Sequence, residues 1–285
     1  MSKAFDRILI IVFENQLQSN VLENDYMRKL AARGALMSNY FGVAHPSQPN
    51  YVAMIAGLPF VNDDTCPSDI SQTNLIDLLE AKGVTWKAYM ENLPEGDAAK
   101  KSVCISKDKL YWRKHNPFIS FDNVRNNPAR LAKIVNAKQF ADDVKKNALP
   151  QYCWYTPNIQ NDGHSPPADF EPNNRVRAVN YLARFLEGFL EPLLANHDFL
   201  KGTLVVVTFD ESFPHKDNNI YTVLLGEMVK PNSVQTERYN HYSLLRTVEE
   251  DFELGTLNRN DVTATWFRFL WGLEPLVITW DDHTK

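Results

Sequence analysis

The chain alternates between short apolar runs and segments whose apolar positions recur at helical spacing. Arg7-Ile8-Leu9-Ile10-Ile11-Val12-Phe13 and Thr203-Leu204-Val205-Val206-Val207-Thr208-Phe209 are nearly continuous β-branched or aromatic runs without polar alternation. Such runs predict strands covered by helices on both faces, hence central strands of a parallel sheet. After the first, residues 20–34 place Val21, Leu22, Met27, Leu30 and Ala31 at helical spacing and end at Gly34, a residue suited to a C-cap. Residues 35–41 read as a second strand. Pro49, preorganised for helix entry, marks the start of a helix with Ser47 just before it. A helix over 74–82 ending at Gly83, a strand over 84–90, a long helix over 174–194 and a strand over 220–225 continue the alternation. The pattern predicts one α/β domain over 1–285: a doubly wound, mostly parallel central sheet with helices on both faces. Between about 91 and 150 the texture becomes rich in lysine and asparagine with few clean periods, which predicts an irregular insertion near the site.

The two apolar runs end abruptly in polar residues, Glu14-Asn15 and Asp210-Glu211. In open α/β sheets ligands bind outside the carboxyl ends of the strands, so carboxylates at two such ends can converge on one point. Their hard oxygens suit one divalent or trivalent cation. Taken singly, each pair also reads as the start of a turn or an N-cap. Ser47 lies in His45-Pro46-Ser47-Gln48-Pro49-Asn50. A serine before a helix is an N-cap or, beside a cation and a helix dipole, an activated nucleophile; Asn50, one turn along, is placed to offer its amide to a phosphoryl oxygen. Asn161-Asp162-Gly163-His164 reads as a turn closed by a histidine, which makes His164 a candidate for phosphate binding, leaving-group protonation or metal ligation. Asn240-His241 precedes a helix, with His241 either structural or presented to the site.

Composition narrows the partners. The formal charge is -5 and no basic block interrupts the chain. There is therefore no electrostatic footprint for nucleic acid or an anionic membrane, and an anionic substrate must be held locally. The apolar run at the N-terminus is too short and too early for a signal-peptide core, and no stretch reaches membrane-spanning length without charge, so the expectation is a cytoplasmic protein without membrane insertion. Cys66, Cys104 and Cys153, odd in number and widely spaced, fit a reducing compartment better than a disulfide framework, with a single Cys66–Cys104 bridge as the alternative.

The blocks Phe13-Glu14-Asn15, His45-Pro46-Ser47-Gln48-Pro49-Asn50-Tyr51, Thr156-Pro157-Asn158 with Asn161-Asp162-Gly163-His164, Thr208-Phe209-Asp210-Glu211, and Asn240-His241-Tyr242-Ser243-Leu244-Leu245-Arg246-Thr247-Val248-Glu249 occur in this order over most of the chain. In these blocks the chain resembles the phosphoesterase family of bacterial acid phosphatases of the respiratory-burst-inhibiting type, fungal acid phosphatases and phosphatidylcholine-type phospholipases C. The resemblance implies an alkaline-phosphatase-like fold with the nucleophile on the helix after an early strand. It also implies Glu14, Asn15, Asp210 and Glu211 as metal ligands, Ser47 as nucleophile and further ligand, and Asn50 and His164 on the phosphate side. The paired Asp-His elements of two-zinc relatives are not evident, which points to one metal. The expected activity is metal-dependent hydrolysis of small phosphoric monoesters through a phosphoserine. The alternatives are a phospholipase C or other phosphodiesterase, for which Leu110, Tyr111, Trp112, Phe118 and Phe121 would form an apolar wall, and a non-catalytic binder of phosphorylated ligands.

Overall fold

The computed structural model describes residues 3–170, 176–215 and 217–272. Its strands are β1 (Arg7–Phe13), β2 (Ala35–Met37), β3 (Tyr40–Phe41), β4 (Trp86–Met90), β5 (Ile134–Asn136), β6 (Tyr152–Thr156), β7 (Thr203–Phe209), β8 (Val223–Leu225), β9 (Ser233–Gln235) and β10 (Tyr239–Asn240). One sheet takes the order β5-β4-β6-β1-β7-β8-β2-β9, while β3 pairs with β10 apart from it. Strands β1, β4, β5, β6 and β7 are mutually parallel, and β8 runs against both its neighbours. Residues 8–13 and 203–209 are buried throughout, as expected of central strands with helices on each side.

Ring contacts identify the two faces. Phe13 meets Phe185 at 6.4 Å and Tyr155 meets Phe189 at 4.5 Å, both on the Arg177–Leu194 helix. Trp154 points the other way and meets Tyr51 of the Ser47–Ala56 helix at 6.5 Å. Ile10 lies opposite Trp154 in register, so the even-numbered residues of β1 face the Ser47–Ala56 helix. Strands β1 and β7 stay in register from Arg7 opposite Thr203 to Phe13 opposite Phe209. The next residues, Glu14 and Asp210, therefore leave the sheet side by side toward the serine.

Several elements differ from the pattern-based expectation. The helix over 20–34 is two, Gln18–Glu23 and Asp25–Ala32, because the Asn24 side chain accepts the Met27 N–H and caps a new start. Gly34 is not a left-handed C-cap; it is where the chain passes so close to β8 that a Cβ would sit 2.0 Å from the Leu224 carbonyl oxygen. The strand over 35–41 breaks at Ser38-Asn39, its halves joining different sheets. The helix expected from Pro49 begins at Ser47, and the strand expected from Ile220 begins at Val223. The long helix runs Arg177–Leu194; the start expected at Asn174 lies outside the described residues. Within 91–150, Ile134–Asn136 supplies the edge strand β5, so the last part of this segment belongs to the sheet. Cys66 and Cys104 are disulfide-bonded, with Cα atoms 5.9 Å apart, and Cys153 is a buried thiol. That bridge removes the argument from cysteine usage for a reducing compartment. Among the described residues no helix is long and apolar enough to cross a membrane.

Gly34→Ala should destabilise the protein by about 3 kcal/mol, since backbone cannot yield to the added carbon. Gly188→Ala, on an exposed turn of the long helix with open space around it, should stabilise by about 1 kcal/mol. Urea unfolding midpoints of the two variants check both signs.

Candidate active site

Ser47 is the first residue of its helix, behind Pro46 in extended conformation. The hydroxyl is not used as a cap. It donates to Glu14 Oε2 at 2.9 Å and lies 3.2 Å from Glu211 Oε1. Asn15 takes a left-handed conformation (φ 52°), accessible to asparagine at low cost, and so turns back on the site. Its backbone N–H donates to Asp210 Oδ1 at 3.1 Å and its side-chain amide to Glu14 Oε2 at 3.0 Å. The structure thus brings together Glu14, Asn15, Ser47, Asp210 and Glu211.

Three buried carboxyl groups in so small a space repel one another. Burial pushes Asp210 well above its ordinary pKa, with Glu14 and Glu211 adding to the effect. Burial and then Glu14 push Glu211 up to about 8. Asp210 Oδ2 is buried without a hydrogen-bond partner, and Glu14 Oε1 has only the His115 ring, at 3.0 Å, beside it. Carboxylate oxygens crowded at two strand ends, one of them without a donor, with a serine hydroxyl and an amide between them, are a donor set suited to a hard cation, which would relieve the repulsion.

Of the groups around this core the sequence pointed only to His45, two positions before the serine; His115, His215, Lys114 and Asp64 were missed. His115 is buried, stacked on Tyr51 at 5.2 Å, with Nε2 3.0 Å from Glu14 Oε1 and Nδ1 3.4 Å from Asp162 Oδ2. Burial opposes its charge, but Glu14 and Asp162 outweigh that and raise its pKa to about 9. For Glu14 the burial penalty is likewise overcome by His115, and the carboxyl is held well below its usual range. His45 Nδ1 contacts Glu211 Oε2, and His215 Nδ1 lies 3.6 Å from the same oxygen. Lys114 Nζ donates to Asp64 Oδ2 at 2.7 Å, while Asp64 Oδ1 accepts the Gln48 N–H at 2.9 Å. Lys114 and His115 come from the segment without clear periodicity; the only local signal was three consecutive basic residues, Arg113-Lys114-His115, set among aromatics.

A cleft of about 390 Å³ opens over the serine, lined by Asn15, Ser47, Asp64, Lys114, His164 and Glu211, with Phe213 and His215 alongside. His164 is exposed there, its Nδ1 2.8 Å from Ser165 Oγ and its N–H on Asp162 Oδ1 at 2.8 Å. Partial desolvation against the cleft wall, with His115 and Lys114 close by, lowers its pKa.

Two expected site residues serve the backbone instead. Asn50 Oδ1 accepts the Val43 and Ala44 N–H groups at 2.8 and 3.0 Å, and its Nδ2 donates to the Ala44 and Pro46 carbonyls at 2.9 and 3.1 Å. With donors and acceptor engaged, it clamps the loop before Ser47 and has nothing left for a phosphoryl oxygen. His241 is fully buried and absent from the cleft; its Nε2 lies 2.6 Å from the Asp210 carbonyl and its ring meets Tyr40 at 5.9 Å. Burial depresses its pKa to about 4, so it supports the Asp210 backbone as a neutral ring.

The Phosphoesterase family model matches residues 13–255. The chain belongs to the Phosphoesterase family. A probable acid phosphatase of Kluyveromyces lactis is 37% identical over 273 residues, covering 92% of this chain and 61% of that protein. A phosphate-repressible acid phosphatase of Penicillium chrysogenum is 35% identical over 278 residues, covering 94% and 64%. The chain thus spans less than two thirds of these fungal Phosphoesterase relatives. A phosphatidylinositol-3-phosphatase of Mycobacterium tuberculosis is 33% identical over 271 residues, covering 92% of this chain and 83% of that one. The fold is that of the alkaline phosphatase superfamily: a Vibrio parahaemolyticus protein of that superfamily superimposes with a TM-score of 0.63 at 12% identity, covering 92% of this chain and 71% of the other. A phosphonate monoester hydrolase of Agrobacterium radiobacter gives 0.60 at 12%, covering 95% and 78%.

Because the His115 pKa is raised from 6.5 to about 9, its charged form stabilises the fold fully below pH 6.5, and that contribution is lost as pH rises through 9. Chelator-treated protein should therefore show a urea midpoint that falls between pH 6.5 and 9. His115→Gln should make that fall shallower, the remainder coming from Glu211, whose raised pKa of about 8 acts in the same direction; an unchanged slope in the variant would show that the ring is not charged.

Proposed function

We propose that this Phosphoesterase chain is a metal-dependent phosphoric monoester hydrolase that works through a phosphoserine at Ser47. The observation that carries the reading is a serine hydroxyl at a helix start, hydrogen-bonded to one strand-end carboxylate and beside a second, at the floor of a polar cleft. Acid phosphatases and a phosphatidylinositol phosphatase among the relatives support it. A protein that only bound phosphorylated ligands would have no use for that hydroxyl.

In the reaction Ser47 Oγ attacks phosphorus at the positive end of its helix. Its proton passes to one of the two carboxylate oxygens within reach, Glu14 Oε2 or Glu211 Oε1. The bond from phosphorus to the leaving oxygen breaks on the opposite side, and His164, in the cleft wall, protonates the departing alcohol. Its lowered pKa confines the imidazolium, and so this proton donation, to acid pH. Water then attacks the phosphoserine and the bond from phosphorus to Ser47 Oγ breaks; one carboxylate takes the water proton, the proton held since the first step returns to Oγ, and inorganic phosphate leaves. Glu14, Asn15, Ser47, Asp210 and Glu211 would hold one cation, which when bound supplies Lewis-acid charge to the phosphoryl oxygens and favours the serine alkoxide.

A monoester fits better than a diester. Of the five residues expected to build an apolar wall for a diester's second substituent, Tyr111, Phe118 and Phe121 are buried in the core, and the half-buried Leu110 and Trp112 do not line the cleft. What the segment sends into the cleft is Lys114.

Ser47→Ala should keep the fold and lose roughly three orders of magnitude or more in turnover of a chromogenic monoester; near-parental turnover would overturn the covalent route. Elemental analysis should find about one metal per chain, reduced by Asp210→Ala, and chelation should abolish activity. His164→Ala should slow esters of poorly acidic alcohols far more than esters of acidic phenols, which depart without a proton. An equal loss on both would reassign His164 to phosphate binding.

A further inference from the structure

Lys114 and Asp64 form an ion pair inside the cleft that the chemistry above does not use. The ammonium donates to Asp64 Oδ2 at 2.7 Å, and Asp64 Oδ1 takes the N–H of Gln48, the residue after the nucleophile, at 2.9 Å. One carboxylate therefore spans a cation and a backbone donor next to Ser47. That is how two anionic oxygens of a phosphoryl group would be held. Lys114 also sits 5.5 Å over the Trp112 ring, and its side chain is only 11% exposed, so the ammonium is confined to the cleft wall. Asp64 is more open, at 31%. The Cys66–Cys104 bridge joins the segment carrying Asp64 to the one leading to Lys114.

Charge balance gives the pair a purpose. Among the described residues lining the cleft, Lys114 is the permanently cationic side chain, against Asp64 and Glu211. A monoester brings a second negative charge that a diester lacks, and it must be matched near the carboxylates at the cleft floor. We propose that Lys114 is the specificity residue for the phosphomonoester dianion, and that Asp64 is an internal competitor holding Lys114 and the Gln48 N–H until the phosphoryl oxygens displace it. The inference rests on the hydrolase reading for its substrate class. On binding, Asp64 swings toward solvent and Lys114 moves its hydrogen bond to a non-bridging oxygen; no covalent bond changes in this step.

The test compares the metal-loaded parent with Lys114→Met, Lys114→Arg and Asp64→Asn on a matched monoester and diester, and titrates inorganic phosphate into each by calorimetry. Lys114→Met should lower kcat/KM for the monoester roughly 10- to 100-fold, the worth of one charge-assisted hydrogen bond, with much less effect on the diester, and should weaken phosphate binding by a similar factor. Lys114→Arg should restore most of both. Asp64→Asn should tighten phosphate binding. A merely structural ion pair would depress both esters alike in Lys114→Met, and that result, or weaker phosphate binding in Asp64→Asn, would overturn the proposal. If the parent hydrolysed neither ester, the hydrolase reading would fall, and the phosphate titration would still decide the role of Lys114.

Discussion

The in-register pairing of β1 with β7 forces Glu14 and Asp210, the first residues beyond Phe13 and Phe209, onto the same face of the sheet and under the same helix. Two acids that belong to distant parts of the chain are buried as neighbours because the strands beneath them are parallel and end together. Like charges so placed are costly unless compensated, and most of the remaining site geometry answers that cost. The Ser47 hydroxyl, the Asn15 amide and His115 all point their donors at Glu14. Asp210 Oδ2 is left buried without a donor.

Compensation comes from the segment that looked least organised. Residues 91–150 close the sheet with β5, and they carry Lys114 into the cleft and His115 against Glu14. Tyr51, one turn along from the serine, stacks on His115. The helix that presents the nucleophile thus also holds the counter-charge of Glu14 in place. Asp162 anchors the far nitrogen of His115, and its carbonyl accepts the Glu14 N–H at 3.0 Å. This closes a ring of contacts around one carboxylate.

Asn50 and His241 show how much of such a site is scaffold. Both lie in motifs that resemble those of the family, and both are buried beneath the reacting groups rather than among them. Asn50 determines the path of residues 43–46 into Ser47. His241 supports the carbonyl of Asp210 from behind. Changing either would displace a reacting atom without removing one, which is why a motif alone does not separate a residue that touches substrate from one that positions it.

The sequence by itself determined the α/β architecture, the central strands and the acids at their ends, because a strand buried on both faces must be continuously apolar and its first polar residues then mark the sheet's edge. It also carried the serine before a helix and the order of the family's motifs. Only the tertiary structure decided the rest. Gly34 is needed for a close approach to Leu224 that no local pattern records. The break at Asn24 follows from a side-chain cap winning over a continuous helical period. His115, Lys114 and Asp64 come to the site through long-range packing and a bridge between Cys66 and Cys104. Their significance is electrostatic, and it depends on which charges lie within a few ångströms, a quantity that spacing along the chain does not contain.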